Sequence, residues 1–585
     1  MYDVIIIGAG IVGCAVARVL SRYALDILVI EKGADVAVGA TKANSGILHA
    51  GYDCVPGTLK AKMNVRGLQL YQTLVQELAI PHKMNGALVV STVDGTTDTD
   101  AGIAKLRQLY DQGIANGVRG MELLSAAQAR ALEPNLHASV NGALRAASAG
   151  IISPYEAAIA FAENAAASGT RFLLEASVTA VRKAKHLHDR LDRVAPDASQ
   201  SAMGGASADG SVFDWGAGTT PCFVVTAERH GIAGEYRARV VINAAGINSG
   251  VMANYERGLS HRVADAAAGK CEAASAPSVK IQPQRGQYYL LDNTQRDLIT
   301  HTIFQLPTQL GKGVLIAPTV DGNVLLGPTA EAIEDRQRTN DPAATATTSD
   351  GLAEALDKAR QTLAHIPIGD RITAFAGVRA KHSGGDFILE EMPDGFIHAI
   401  GIDSPGLTAA PAIAERLAEM ALARLAEMPH DDKKKYREPT LKPDFIAQRE
   451  AILRLRDLPE SQPVANCHQL KPANPAYGAV VCRCETVTQA EITEAMRRFA
   501  LLQGSGQVAI LPVPQDASAH DPTLPPAIPA NLDAIKRRTR AQMGRCQGGF
   551  CTVRLMELIA REYGLPEAAV TKNGHGTAIS ATHNE

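Results

Sequence analysis

"YDVIIIGAGIVGCAVARVL", residues 2 to 20, decides the fold class. A β-branched apolar run ends at Ile7, glycines follow at Gly8, Gly10 and Gly13, and an Ala- and Val-rich stretch continues at helical spacing. Strand, glycine turn and helix in that order open a dinucleotide-binding unit. Gly8 permits the tight turn, Gly10 lets main chain approach a pyrophosphate, and Gly13 lets the helix lie against the strand. Helix N-terminal amides then face the phosphate charge. "DILVIEK" supplies a second strand ending at Glu31, about twenty residues on, where a carboxylate can hold ribose hydroxyls. The motif alone leaves NAD and FAD both open.

Working outward, 585 residues exceed a single core and call for about three or four units. A hydrophobic content of 46% is globular, and a net charge of -3 gives no support to a nucleic-acid partner or a membrane-adhesive surface. The apolar N-terminus imitates a signal peptide, but it has no basic n-region and glycines interrupt it. No run reaches the roughly 18 uninterrupted apolar residues of a membrane span. The nine cysteines are odd in number, and Cys14, Cys54, Cys222, Cys271 and Cys467 are scattered like buried thiols. A reducing, cytoplasmic setting is expected.

From Met1 to about Leu425, short β-rich runs alternate with longer helical ones, as in an α/β enzyme. Two passages, about His188 to Pro221 and Arg262 to Pro277, have the composition of surface insertions with little order. Thr319, Asp321 and Asn323 read as a hairpin turn without chemistry. A Lys- and Pro-containing connector spans about Pro429 to Pro475, its triple lysine reading as a solvated face. Beyond it, Cys482 and Cys484 form a CxC pair and Cys546 and Cys551 a CxxxxC pair, with a proline-rich loop between them. That composition is a metal site, zinc or iron–sulfur, and the tight CxC spacing suits a zinc knuckle less well. Lys536, Arg537, Arg538 and Arg540 either offset charge there, meet a partner, or form an ordinary surface helix.

Four stretches carry a resemblance: the N-terminal fingerprint, "TKANSGILHAGYDCVPGTLKAKM", "VVINAAGINSG" and "IGIDSPGLTAAPAIA". Together they resemble the FAD-dependent family that includes D-amino-acid oxidase, glycerol-3-phosphate dehydrogenase and L-2-hydroxyglutarate dehydrogenase. The resemblance implies FAD as cofactor. It also implies an α/β fold in which a Rossmann-like FAD-binding domain (about 1–80, 150–280 and 370–426) interleaves with an α+β substrate domain (about 81–149 and 281–369). Besides the fingerprint and Glu31, it assigns cofactor contacts to Asn44, Ser45, Val178, Ala245, Gly246, Gly401, Ser404, Gly406, Leu407 and Thr408. The last residues open a helix whose dipole suits the negative charge of reduced flavin. After a 427–475 linker, "CRCETVTQAEI" and "KRRTRAQMGRCQGGFC" are similar to a bacterioferritin-associated-ferredoxin-like [2Fe-2S] domain over 476–585. That similarity implies Cys482, Cys484, Cys546 and Cys551 as ligands of a small helical iron–sulfur module.

For catalysis the resemblance points to Arg379 and Arg285 as anion clamps, since a guanidinium fork binds two oxygens. It points to His49 as a flavin or proton-transfer residue. Lys381 and Lys312 are weaker candidates. Membrane-type glycerol-3-phosphate dehydrogenases carry an arginine shortly after the matching histidine, where this chain has Tyr52 and Asp53, as in the L-2-hydroxyglutarate branch. The expected reaction is oxidation of a small anionic alcohol, sn-glycerol 3-phosphate, to dihydroxyacetone phosphate. A 2-hydroxy-acid or an amine or amino-acid dehydrogenase is the alternative. Flavin takes two electrons and a cluster carries one at a time, so head and tail imply stepwise discharge to a partner protein or quinone. Any membrane contact is expected to be peripheral, through partners.

Overall fold

The structure, a computed structural model, describes residues 1–93, 99–184, 222–256, 279–306, 313–333, 342–393, 395–428, 439–458, 470–504, 524 and 526–579. The two low-complexity passages, the triple lysine, Lys312, Cys271, Cys467 and most of the proline-rich loop lie outside those residues.

Tyr2–Ile7 forms strand β1, Ile11–Leu20 helix α1 and Ile27–Ile30 strand β2. β1 runs parallel between β2 and the strand Ile232–Asn243, with Val4 opposite both Ile27 and Val240. This central place explains its unbroken apolar run. Val4 and Ile6 face one core, shared with α1 and the helices Pro154–Ala167 and Gly406–Glu427, while Ile5 and Ile7 face another. A strand covered on both faces has no polar side to alternate with. Among the described residues the sheet has eight strands, Phe396–Ile400 returning to it late in the chain.

A second sheet, of nine strands among the described residues, includes Ala87–Thr92, Val140–Ala146, Thr302–Gln305, Leu315–Pro318 and Val324–Gly327. Its longest members, Ile281–Leu291 and Arg371–His382, pair antiparallel and set Arg379 opposite Gln284. The chain therefore enters the second sheet, returns to the first at Arg171, leaves again at Ile281 and returns at Ile388. The α/β architecture is interleaved, as the sequence implied. Helix α2, Leu59–Glu77, is bound tightly to the Gly406 helix: a Cβ on Gly67 would stand 2.0 Å from the Thr408 carbonyl.

The tail contributes helices Gln489–Leu502, Leu532–Thr539 and Thr552–Tyr563 and a small hairpin through Cys482. Its apolar side does not close on itself. Phe499, Ile535 and Leu555 belong to the same continuous core as Val4 and Ile413.

The basic run at Lys536 to Arg540 is not a surface helix. Arg537, Arg538 and Arg540 are 3%, 2% and 5% exposed. Arg538 Nη1 and Arg537 Nη2 donate to Asp35 Oδ2 at 2.8 and 2.9 Å, and Arg538 Nε to Glu163 Oε1 at 3.2 Å. Burial by itself would raise the Asp35 carboxyl, but the two guanidiniums overcome it and hold the acid below its ordinary range. Glu163 is depressed in the same way, by Arg449, Arg538 and Arg498.

The turn at Thr319 to Asn323 forms as expected, Thr319 N donating to Asn323 O at 2.8 Å. Its side chains do more than turn the chain. Arg540 donates to Asp321 at 2.6 Å and to Asn323 at 3.1 Å, tying the tail to the second sheet. The connector is pinned too, through Arg449 to Glu163 and Arg454 to Glu156. Among the described residues no helix is long and apolar enough to cross a membrane.

Candidate active site and thiol site

Gly8 adopts φ +100°, and a Cβ there would meet the Ala244 carbonyl at 2.6 Å and Ala245 Cα at 3.1 Å. Only glycine tolerates both the conformation and the approach. A Cβ on Gly13 would stand 1.9 Å from the Gly8 carbonyl, so α1 lies hard on the turn. Gly10 and Gly246 differ: the first meets only Thr41 Oγ1 at 3.4 Å, and the second meets nothing within 4 Å. The turn is thus closed from below and open above. Glu31, at the end of β2, accepts from the amides of Ala9 at 2.7 Å and Gly33 at 2.8 Å. Burial raises its carboxyl, partly offset by these amides. Val178 and Ala245 pack against one apolar cluster beside this grip.

Asn44 spends its side chain on its own loop, Oδ1 accepting from Gly46 N at 2.8 Å and Nδ2 donating to Thr41 O at 2.8 Å. Ser45 Oγ lies 3.2 Å from the Tyr288 hydroxyl, and Tyr288 stacks on Phe375 with ring centres 4.8 Å apart. A Cβ on Gly377 would be 2.1 Å from the Ala43 carbonyl, so the second sheet presses directly on this loop.

His49 is fixed at both ends of its peptide unit. Its amide donates to Thr408 Oγ1 at 2.9 Å and its carbonyl accepts from Asn64 Nδ2 at 3.0 Å. Thr408 in turn donates to Ile47 O at 3.2 Å, and Tyr71 to Leu407 O at 3.1 Å. The start of the Gly406 helix, which follows Ser404, is therefore stitched to the His49 loop. The imidazole packs 5.8 Å from the Phe304 ring. Gly401, at φ +69°, allows the preceding turn, where a Cβ would meet His382 Cβ at 2.5 Å.

The two arginines are placed differently. Arg285 is held by Glu331 through two bonds of 2.9 and 2.6 Å, and also donates to Ala346 O. Arg379 is half-buried and donates to Gln284 Oε1 at 3.1 Å and Thr329 O at 3.3 Å, with no carboxylate partner among the described residues. Its charge is free for an anion; that of Arg285 is already neutralised. Lys381 is exposed.

The four tail cysteines close as two couples. Cys484 and Cys546 are exposed with sulfurs 3.4 Å apart, while Cys482 and Cys551 are buried. A hydrogen bond from Cys551, aided by the amides of Gln542 and Glu485, lowers the Cys482 thiol to about 6 against the cost of burial. Phe550 and Gly548 amides lower Cys546 similarly. Among the described residues no group of three or more His, Cys, Asp or Glu side chains is placed to hold a metal ion. Between the Asn44–Gly46 loop and this module lies a cavity of about 310 Å³, with Tyr155, Phe375, Arg540 and Met543 in its wall.

A family model for FAD dependent oxidoreductases matches residues 3–420. The chain belongs to that family. This oxidoreductase is 36% identical over 581 residues, 99% of its length and 98% of the relative's, to a glycerol 3-phosphate dehydrogenase of Caloramator mitchellensis. It is 28% identical over 436 residues, 73% of its length and 96% of the relative's, to a glycerol 3-phosphate oxidase of Mycoplasma pneumoniae. An L-2-hydroxyglutarate dehydrogenase of Arabidopsis thaliana matches at 27% over 72% of this chain and 83% of its own. An FAD-bound L-alpha-glycerophosphate oxidase structure from Mycoplasma pneumoniae superposes with a TM-score of 0.59 at 24% identity, over 76% of this chain and 98% of that one, and establishes the fold.

The oxidoreductase's grip fits FAD. Gly10 and Gly246 leave room above the turn, α1 begins there at Ile11, and Glu31 stands at the end of β2. Sequence reasoning missed Thr41, whose Oγ1 accepts from Ile11 N at 3.0 Å. It also missed Asp35, Asp321 and Asn323, whose partners come from the distant tail. No local pattern announced them.

Proposed function

We propose that this enzyme oxidises sn-glycerol 3-phosphate to dihydroxyacetone phosphate and passes the electrons through a [2Fe-2S] centre on Cys482, Cys484, Cys546 and Cys551 to a partner protein or quinone. One observation carries the reading. The glycerol 3-phosphate dehydrogenase relative matches through the tail, whereas the glycerol 3-phosphate oxidase relative is spanned almost to its full length by only 73% of this chain. The added length accompanies the change from oxidase to dehydrogenase, as expected if the tail leads electrons away from dioxygen.

Bound FAD supplies a two-electron acceptor, and the cluster a one-electron relay. The chain's own residues do the rest. Arg379 clamps the phosphate with a fork that no acid occupies. His49, whose main chain Thr408 and Asn64 hold still, takes the hydroxyl proton. Arg285, its charge balanced by Glu331, shapes the strand beside Arg379. Within each couple one sulfur is favoured as thiolate, Cys482 by the Cys551 hydrogen bond and Cys546 by the Phe550 amide. Cys551 is pushed up by its partner sulfur and by burial, and Cys484 by burial and its partner sulfur. Two couples of sulfurs suit a binuclear cluster, which takes two thiolates per iron, better than one zinc ion needing four converging ligands. On this reading the flavin unit ends near 426, a linker follows, and the cluster module begins near 476.

The carboxylate alternative, L-2-hydroxyglutarate or another 2-hydroxy acid, rests on Tyr52 and Asp53 in "HAGYD" and on relatives that match 72% or less of the chain. Anaerobic titration decides between them. Glycerol 3-phosphate should bleach the flavin and reduce a dye, with two irons and two sulfides per chain in the same sample. Bleaching by 2-hydroxyglutarate but not glycerol 3-phosphate would replace the substrate. Iron-free protein that still turns over would remove the cluster.

A further inference from the structure

We infer that the face formed by Arg483, Phe550, Val553 and Arg554 is the docking surface for an acidic one-electron carrier protein. The inference rests on the proposed cluster and goes beyond it to name the surface and the chemistry of the partner. Phe550 lies in the "CQGGFC" loop between Cys546 and Cys551 and is 45% exposed, and Val553 one turn on is 62% exposed. Two guanidiniums flank the Phe550 ring, Arg483 at 4.7 Å and Arg554 at 5.1 Å from its centre. An exposed cation–π contact contributes only about 0.5–1 kcal/mol, too little to explain leaving two cations and an aromatic ring in water.

The rest of the tail shows how unusual the pair is. Its other described arginines from Val480 onward each reach a carboxylate within 3.4 Å. Arg483 and Arg554 alone have no acidic partner among the described residues, and both lie on the ring beside the exposed thiols. Arg483 sits between Cys482 and Cys484, and Cys484 and Cys546 are the exposed couple. An apolar centre rimmed by unpaired cations, on a chain of net charge -3, is a local field aimed at an acidic partner. It lies where an electron leaving the thiol site has least protein to cross. Each encounter moves one electron to an oxidised haem or iron–sulfur carrier, so two encounters discharge each substrate molecule.

The test uses full-length protein reduced photochemically with deazaflavin, so that the outcome does not depend on the substrate. A soluble acidic cytochrome b5 haem domain is the probe, with basic cytochrome c as control. The b5 domain should bind and be reduced at low salt, with both binding and rate falling as salt rises. R483E/R554E should lower binding and second-order rate by about ten-fold or more, and F550A by a smaller factor, with iron content and dye reduction unchanged. Salt-independent reduction of the b5 domain by unaltered protein, preference for cytochrome c, or an R483E/R554E variant that binds the b5 domain normally would overturn the assignment. Iron-free protein would remove the cluster reading and the docking assignment together. Failure to oxidise glycerol 3-phosphate would touch only the substrate.

Discussion

Arg538 Nη1 stands 2.8 Å from Asp35 Oδ2 and its Nη2 3.1 Å from Oδ1, a fork-to-fork pair joining the tail to the loop four residues beyond Glu31. Asp35 and Arg538 are 0% and 2% exposed. Neither charge is tolerable there without the other, because desolvation of an isolated ion costs several kcal/mol.

Arg538→Met should therefore destabilise the protein by about 3–5 kcal/mol and lower its flavin content, because the Asp35 loop also donates Ala37 N to Ala9 O of the grip. The double variant D35L/R538M should recover part of the loss. Melting temperature and the flavin-to-protein ratio check this; a single variant as stable as the unaltered protein would refute the lock.

Acid should open the same junction. Asp35 and Glu163 both have depressed folded-state values, so their stabilisation is complete above the ordinary carboxylate range of about 4 and is lost as pH falls through the lower folded values. Melting temperature should drop steeply below about pH 4. The slope should be shallower in D35L/R538M, and equal slopes would count against the assignment.

Gly10→Ala and Gly13→Ala should part company. A methyl on Gly13 collides with the Gly8 carbonyl at 1.9 Å and should cost at least about 1–3 kcal/mol of stability. On Gly10 it makes only a 3.4 Å contact with Thr41, so the fold should hold while FAD affinity falls. Calorimetry with flavin release separates the two.

Arg379→Met should lower kcat/KM for glycerol 3-phosphate by about 30- to 100-fold, the loss of a charge-assisted clamp, with flavin retained. Arg285→Met should lower it several-fold less, since Glu331 already balances that charge. Equal losses would place both arginines on the substrate.

What the sequence made legible was local. The glycine turn, β2 ending at Glu31 and the helix opening at Gly406 are encoded within a few residues of themselves, and each formed. The Asp35–Arg538 pair joins residues 503 apart, and only tertiary packing brings them together. A run of Lys and Arg reads as solvated because solvation is its cheapest state in an isolated helix, yet here Asp35, Glu163 and Asp321, from three other parts of the chain, pair with it in the interior. Strand register sets Arg285 opposite Glu331, a pairing that no sequence spacing announces.

The continuous core through Val4, Ile413, Phe499 and Leu555 bears on biosynthesis. A ribosome that has released the first four hundred residues has made every strand of both large sheets, but not the helices that finish covering them. Until the last hundred residues emerge, the nascent chain carries an oily flank that invites aggregation or chaperone capture. A fragment ended at the flavin unit would keep that flank permanently, so expressing the head without its tail should yield inclusion bodies instead of a smaller working catalyst.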